Sequence, residues 1–131
     1  MKVVVDTNVL VRALVRDDPT QARAASKLLT SAELIAIPLP CLCELVWVLK
    51  RVYGFKSEDA ATAIRALHDT ANVQMNRQAV EAGLTMLESG GDFADGVIAY
   101  EGRWLGGETF VSFDKQAVTL LKAQGQAARV L

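Results

Sequence analysis

The sequence lacks the features that mark secreted, membrane-spanning or broadly basic proteins. It has 14 lysine and arginine residues against 15 aspartate and glutamate residues, a formal net charge of −1. Overall charge therefore gives no argument for nucleic-acid binding and leaves only a local basic patch open. The most apolar region, 34–49, contains Pro38, Pro40 and Glu44 and falls short of the ~20 apolar residues of a membrane span. No secretory signal precedes the first apolar run. We expect a soluble, cytoplasmic protein without a membrane partner.

Cysteine and histidine are also scarce. Cys41 and Cys43 are the only 2 cysteines, and alternate residues of a helix point to different sides. We therefore expect neither a disulfide nor a shared metal between them, but reduced thiols in the cytoplasm. The single histidine, His68, lies in a helical segment far along the chain from every acidic motif. A metal site built from histidine or cysteine is not predicted.

Short apolar runs alternate with amphipathic helical patterns along the whole chain, without a linker or a repeat. Strands are predicted at about 3–5, 34–37, 73–75, 109–112 and 128–130. Helices are predicted at about 9–14, 20–31, 39–53, 58–69, 77–88, 93–105 and 115–123, with Ser57 and Asp114 as N-caps. This alternation is typical of an α/β fold with a mostly parallel sheet, and we predict a single domain over 1–131.

Four acidic residues occupy positions where such a fold gathers its ligand-binding groups. Asp6 directly follows the first strand, and Asp114 comes two residues after the fourth. Glu44 lies early in the helix after the second strand, and Asp95 lies in the first turn of the sixth helix. Because ligands bind outside the carboxyl ends of parallel strands, we expect the four to converge there. Read singly, Asp6 and Asp114 fit helix N-caps better than ligand positions. Glu44 alone would fit a helix surface, except that its neighbours are apolar and a charge among them needs a partner.

Four converging carboxylates would need compensation. Two unit charges 4 Å apart near a protein surface repel by ~4 kcal/mol, and several such pairs rival the ~5–15 kcal/mol stability of a domain. Protonation or a divalent cation would relieve the repulsion. Oxygen ligands without histidine or cysteine favour Mg²⁺ or Mn²⁺. Such ions hydrolyse phosphodiesters by activating water and neutralising charge on the phosphate.

Four segments, taken in order, give the chain a family resemblance. They read VVVDTNVLVRAL, CLCELVWVL, DFADGVIAY and TFVSFDKQA, and together they resemble the PIN-domain nucleases, above all the small VapC-type toxins of type II toxin–antitoxin pairs. The resemblance covers essentially the whole chain. It implies a three-layer α/β/α fold, with a central, mostly parallel five-stranded sheet flanked by helices. It also implies RNA cleavage with Mg²⁺ or Mn²⁺, a homodimer or larger toxin–antitoxin assembly, and inhibition by a cognate antitoxin in the acidic groove.

The resemblance carries over to the acids one by one. Asp6 matches the family's D-T-N motif, and Glu44 matches its helical glutamate. Asp95 matches the aspartate of D-A-L-I-A, and Asp114 that of [ST]-x-D. The resemblance implies that these four hold the metal and carry catalysis. Two departures are Gly96, where the family often has alanine, and Gln116, where relatives often carry a further acid.

Supporting roles are predicted for residues beside the acids. Asn8 and Ser112 resemble positions that orient the acids or water. Asp92 is assigned mainly to the N-cap of the sixth helix, which places Asp95 at N3 near the positive end of the helix dipole. An outer-shell metal contact by Asp92 is the lesser alternative. Arg12 either contacts RNA or antitoxin or lies on a solvated helix face.

The predicted third helix, 39–53, is apolar on more than one side. This favours an interface with a second copy or an antitoxin, against the alternative of a helix covered within the monomer. We predict a metal-dependent endoribonuclease toxin. A haloacid-dehalogenase-like phosphatase would need an aspartate where Asn8 stands, and a receiver module would need adjacent acids after the first strand. A non-catalytic acidic module that binds metal or protein stays open.

Overall fold

Parallel strands and helices alternate through the chain in the computed structural model, which describes residues 1–131. The chain divides into two compact units, 1–76 and 77–131. The first unit contains β1 (Lys2–Val4), α1 (Thr7–Val15), α2 (Pro19–Ser31), β2 (Leu34–Ala36), α3 (Leu39–Arg51), α4 (Ser57–His68) and β3 (Val73–Gln74). The second contains α5 (Arg77–Glu88), α6 (Phe93–Trp104), β4 (Phe110–Ser112), α7 (Lys115–Ala123) and β5 (Ala128–Val130).

The first unit is built on a three-stranded parallel sheet in the order β1-β2-β3. Val3 pairs with Ile35, and Ile35 pairs with Val73, so β2 is the central strand. Because parallel strands run in the same direction, β1 and β2 deliver the chain to the same end of the sheet. There α1 and α3 begin, and these are the helices that carry Asp6 at the N-cap and Glu44 in the second turn.

Apolar side chains cover this sheet. Ile35 in the central strand is fully buried, as are residues spaced along one face of each covering helix. The fully buried helical residues of the first unit include Leu10, Leu42, Leu45, Leu49 and Ile64. On α3 the spacing of 42, 45 and 49 is the i, i+3, i+7 pattern of an amphipathic helix.

The second unit pairs β4 with β5 in parallel, and α7 forms the crossover between them. Ala117, Val118 and Leu121 of α7 are buried against Met86 of α5 and Ala99 of α6. Asp114 directly precedes α7, and Asp95 lies in the first turn of α6. The core of this unit therefore anchors both helices that begin with an acidic candidate residue.

The predicted elements are present with small shifts at their ends. Five strands and seven helices were expected, and the bounds of α5, α7 and β5 agree with the predictions. The prediction of one five-stranded sheet differs from the observed pairing, which divides the strands into sets of three and two. A short apolar run predicts a strand without encoding its hydrogen-bonded neighbour. The single-domain assignment stays a prediction.

Two helix ends differ from expectation. Ser57 is the first residue of α4 rather than its cap, since the N-cap position is Lys56 and carries no capping side chain. The helix α3 ends at Arg51, two residues before the predicted end, although Gly54 still takes the left-handed conformation with φ +70°. None of the helices is long and apolar enough to cross a membrane.

Candidate metal centre

Asp6 is held at the junction of β1 and α1. It is the N-cap of α1, and its Oδ1 accepts the backbone N–H of Val9 at 3.3 Å. The predicted N-cap is therefore present, and the capping bond uses one carboxylate oxygen while the side chain remains exposed. The neighbouring Val5 is buried at 4% exposure and fixes the backbone from which Asp6 projects.

Besides its burial, the negative charges of Asp6 and Glu44 both raise the pKa of one buried thiol, that of Cys41. The hydroxyl of Thr7, on α1, donates to Sγ of Cys41, on α3, over 3.7 Å. Burial raises the pKa of Cys41, the hydrogen bond from Thr7 lowers it, and the charges of Asp6 and Glu44 raise it further. The first unit therefore places both carboxylates within electrostatic reach of the same thiol, and the bond from Thr7 to Cys41 joins α1 to α3.

Asp95 owes its place to unusually close packing of α5 and α6. A Cβ on Gly96 would lie 2.4 Å from the carbonyl oxygen of Ala82, and a Cβ on Gly83 would lie 2.6 Å from the ring of Phe93. Small residues on both helices thus let their backbones approach. The helix propensity lost at Gly96 has a structural reason, and the helix that carries Asp95 is fixed against α5.

Asp92 and Asp95 have different surroundings. Asp92 is the N-cap of α6, and its Oδ1 accepts the N–H of Ala94 at 3.2 Å, which leaves Asp95 at N3 as predicted. The pKa of Asp95 is raised, first by burial and then by the negative charges of Asp92 and Asp114. The structure therefore brings Asp92, Asp95 and Asp114 within electrostatic reach in the second unit.

Asp114 is fixed by two local hydrogen bonds. Its backbone N–H donates to Oγ of Ser112 at 2.9 Å, and its Oδ1 accepts the N–H of Ala117 at 3.1 Å. Asp114 is therefore the N-cap of α7, and Ser112 sets the backbone that leads into it. This is a positioning contact of the kind that the resemblance implied for Ser112.

The carboxylates of each unit are oxygen donors of the kind that bind divalent cations. No lysine, arginine or histidine forms an ion pair with Asp6, Glu44, Asp95 or Asp114, and every donor is an oxygen, which Mg²⁺ and Mn²⁺ prefer. No three histidine, cysteine, aspartate or glutamate side chains form a ready metal-binding group. Mg²⁺ commonly binds through one or two carboxylates and keeps several waters, so a pair of acids suffices as a ligand source.

Arg12 and Asn8 lie on α1 beside the acidic end of the first unit. The guanidinium of Arg12 donates to Gln21 at 2.6 Å, to Asp17 at 3.1 Å and to the hydroxyl of Tyr53 at 3.4 Å. Arg12 is therefore neither on a bare solvated face nor an unpaired cation. Asn8 is exposed, and it lines an apolar groove between α1 and α2 together with Arg12.

Sequence reasoning missed two contacts around these acids. Thr7 is the only buried polar residue of the chain, and its position directly after Asp6 in D-T-N was the available signal. Gln116 donates through Nε2 to the carbonyl oxygen of Gly90 at 3.1 Å. No local pattern predicts that bond, because the partners are 26 residues apart.

Comparison with protein families matches residues 3–119 to the PIN domain. The match spans all four acids singled out above, and it confirms the predicted α/β fold with parallel strands. A search of curated proteins found none that matches. PIN domains are generally metal-dependent nucleases, and they typically use divalent ions.

Proposed function

Because the chain belongs to the PIN domain family, we propose that it is a metal-dependent endoribonuclease that hydrolyses RNA phosphodiester bonds. The observation that carries the proposal is the setting of Asp95. This carboxyl is half-buried, it faces the charges of Asp92 and Asp114, and it has no cationic partner. Such an arrangement costs free energy in the folded protein unless a cation compensates it.

The proposed ligands for Mg²⁺ or Mn²⁺ are the four acids that the family resemblance implies, Asp6, Glu44, Asp95 and Asp114. When bound, the ion supplies an activated water nucleophile and neutralises the charge that develops on the phosphate. Asp6 and Asp114 each commit one oxygen to a helix cap, which fixes the direction of the carboxylate. Oγ of Ser112 accepts the backbone N–H of Asp114, so Asp114 is already ordered before the ion binds.

We further propose that the protein is the toxin of a toxin–antitoxin pair in the cytoplasm, forming a homodimer or a larger assembly with its antitoxin. The resemblance of the four ordered segments to VapC-type toxins supports this role. Trp47 on α3 and Val52 just beyond it remain 59% and 62% exposed, whereas six other residues of α3 are buried. Apolar groups left exposed in this way suit a protein interface, and the reduced Cys41 and Cys43 suit a reducing compartment.

Arg12 remains our candidate for contact with RNA or antitoxin. It lies six residues after Asp6, on the same helix. Its ion pair with Asp17 is partly exposed, with side-chain exposures of 30% and 45%, so a phosphate or carboxylate of a partner can compete for it at small cost.

The test separates the charge of Asp6 from its capping role. Asparagine caps helices about as well as aspartate, so Asp6→Asn should leave the thermal unfolding temperature nearly unchanged while RNA cleavage in Mg²⁺ falls at least about a hundredfold. Asp18→Asn is the matched control, because Asp18 caps α2 in the same way, accepting from Gln21 at 3.0 Å. It should cleave normally. EDTA should stop the wild type, and added Mg²⁺ or Mn²⁺ should restore it. Full cleavage by Asp6→Asn would overturn the proposal.

A further inference from the structure

One face of α7 contacts the segment that connects α5 to α6. Gln116 and Leu120 of α7 and Gln124, the C-cap residue that follows the helix, are spaced four apart, so they lie in a row along one side. We refer to these three residues as the α7 row. Gln116 donates to the carbonyl oxygen of Gly90 at 3.1 Å, and Gln124 donates to Sδ of Met86 at 3.3 Å.

Leu120, the middle residue of the row, packs against Gly91. A Cβ added to Gly91 would lie 2.7 Å from Cδ1 of Leu120 and 3.2 Å from Cε of Met86. The N–H of Gly91 also donates to the carbonyl oxygen of Met86 at 2.8 Å. Gly90 takes a left-handed conformation, with φ +91°, that glycine adopts readily. The connection is therefore closely held between the end of α5 and the α7 row.

The end of the row that carries Gln116 lies beside two of the acids. Gln116 follows Asp114 by two residues, and Gly90 precedes Asp92, the cap of α6, by two residues. The bond between Gln116 and Gly90 therefore links the start of α7 to the start of α6. These are the two helix starts that hold Asp114 and Asp95.

We propose that Gln116 is a positioning residue that sets the spacing between Asp95 and Asp114 for metal binding, acting through Gly90. This inference rests on the proposed metal-dependent function. The required chemistry is a hydrogen-bond donor, which the amide of Gln116 supplies, because the acceptor is a backbone carbonyl and neither a carboxylate nor a thioether can donate to it. Gln124, at the other end of the row, contacts α5 through Sδ of Met86 and also accepts from Nε2 of Gln126 at 3.1 Å, but it lies more than two turns away from Asp114.

Two neutral substitutions of matched size separate positioning from general stability. Gln116→Met removes one side-chain hydrogen bond, the one to Gly90, whereas Gln124→Met removes two, the bond to Sδ of Met86 and the bond from Nε2 of Gln126. Gln124→Met should therefore lower the thermal unfolding temperature of the metal-free protein at least as much as Gln116→Met. Binding of Mn²⁺ alone, measured by calorimetry without RNA, should weaken about tenfold in Gln116→Met. It should stay within about twofold of the wild type in Gln124→Met.

A third variant tests the alternative that position 116 contacts the ion. Gln116→Glu cannot donate to Gly90 but adds a carboxylate. Weaker Mn²⁺ binding by this variant supports positioning, and tighter binding would show a ligand position and overturn the proposal. Unchanged Mn²⁺ affinity in Gln116→Met, with loss of binding in Asp95→Asn, would also overturn it while the nuclease proposal stands. No Mn²⁺ binding by the wild type would instead be a failure of the nuclease proposal.

Discussion

A Cβ placed on Gly96 of α6 would lie 2.4 Å from the carbonyl oxygen of Ala82 on α5. Real Cβ atoms do not approach a backbone atom so closely, and neither helix can yield without moving the other. This contact holds the first turn of α6, and with it Asp95, against α5. The residue that looks least favourable in the helix is the one that the packing requires.

Gly96→Ala should therefore destabilise the protein, although alanine is the better helix former. We expect a loss of about 1–3 kcal/mol in the free energy of unfolding, the usual cost of overpacking. Gly102 lies in the same helix, and a Cβ added there would meet no neighbouring group within 4 Å. Gly102→Ala should therefore be stabilising by up to ~1 kcal/mol. Urea denaturation of both variants measures the difference. Equal effects of the two substitutions would show that the close approach of the helices does not decide stability.

Asp95 should be a stability cost to the protein when no metal is present. Burial and the charges of Asp92 and Asp114 disfavour its ionised form. Asp95→Asn removes that charge while keeping the size of the side chain. In EDTA at neutral pH the variant should unfold at a higher temperature than the wild type. A lower unfolding temperature would show that the carboxylate is already compensated in the metal-free protein.

The sign of the pH dependence follows from the raised pKa of Asp95. The folded protein binds this proton more readily than the unfolded chain does, so the contribution of Asp95 to stability falls as pH rises from the unfolded pKa to the folded one. Above the pKa that Asp95 has in the folded protein, the full free-energy cost of its ionised carboxylate remains. In EDTA, the stability difference between Asp95→Asn and the wild type should grow over this range and then level off. A difference that shrinks with rising pH would contradict the assigned direction.

The two cysteines should differ in reactivity. Cys41 is 8% exposed, and burial followed by the nearby charges of Asp6 and Glu44 raises its pKa, so little of it is thiolate at neutral pH. Cys43 is partly exposed. Iodoacetamide should therefore alkylate Cys43 first, since the thiolate is the reactive form. In mass spectrometry of briefly treated native protein, Cys43→Ser should remain unmodified and Cys41→Ser should be modified. The reverse order would contradict the burial of Cys41.

Much of the fold was predictable because its signals are local. The cap of α6 at Asp92, the placement of Asp95 at N3 and the cap of α7 at Asp114 follow from residues within three positions of each other. The pairing of strands and the bond from Gln116 to Gly90 join residues far apart in sequence. No local pattern encodes such partners, so they had to come from the structure.

The sequence names the candidate acids but does not reveal their surroundings in the folded protein. Three of the acids stand out in the sequence because Asp6 and Asp114 follow strands and Asp95 lies in the first turn of a helix, whereas Glu44 lies further along the helix after β2. Their charge environment depends on burial and on distant neighbours, as the effect of Asp114 on Asp95 shows. The requirement for glycine at position 96 depends likewise on the nearby backbone of Ala82, which the sequence around position 96 does not reveal.

We infer that Asp95 holds a metal ion used in RNA cleavage, whereas Asp92 mainly caps α6. The most direct test is the cleavage rate of single-stranded RNA in saturating Mg²⁺, compared between Asp95→Asn and Asp92→Asn. Both substitutions remove one charge from the same turn, and asparagine preserves the cap at 92. We predict a loss of at least about a hundredfold for Asp95→Asn. For Asp92→Asn we predict a loss of less than about tenfold. A larger loss would be expected if Asp92 made an outer-shell contact to the metal. Cleavage by Asp95→Asn at the wild-type rate would contradict the account.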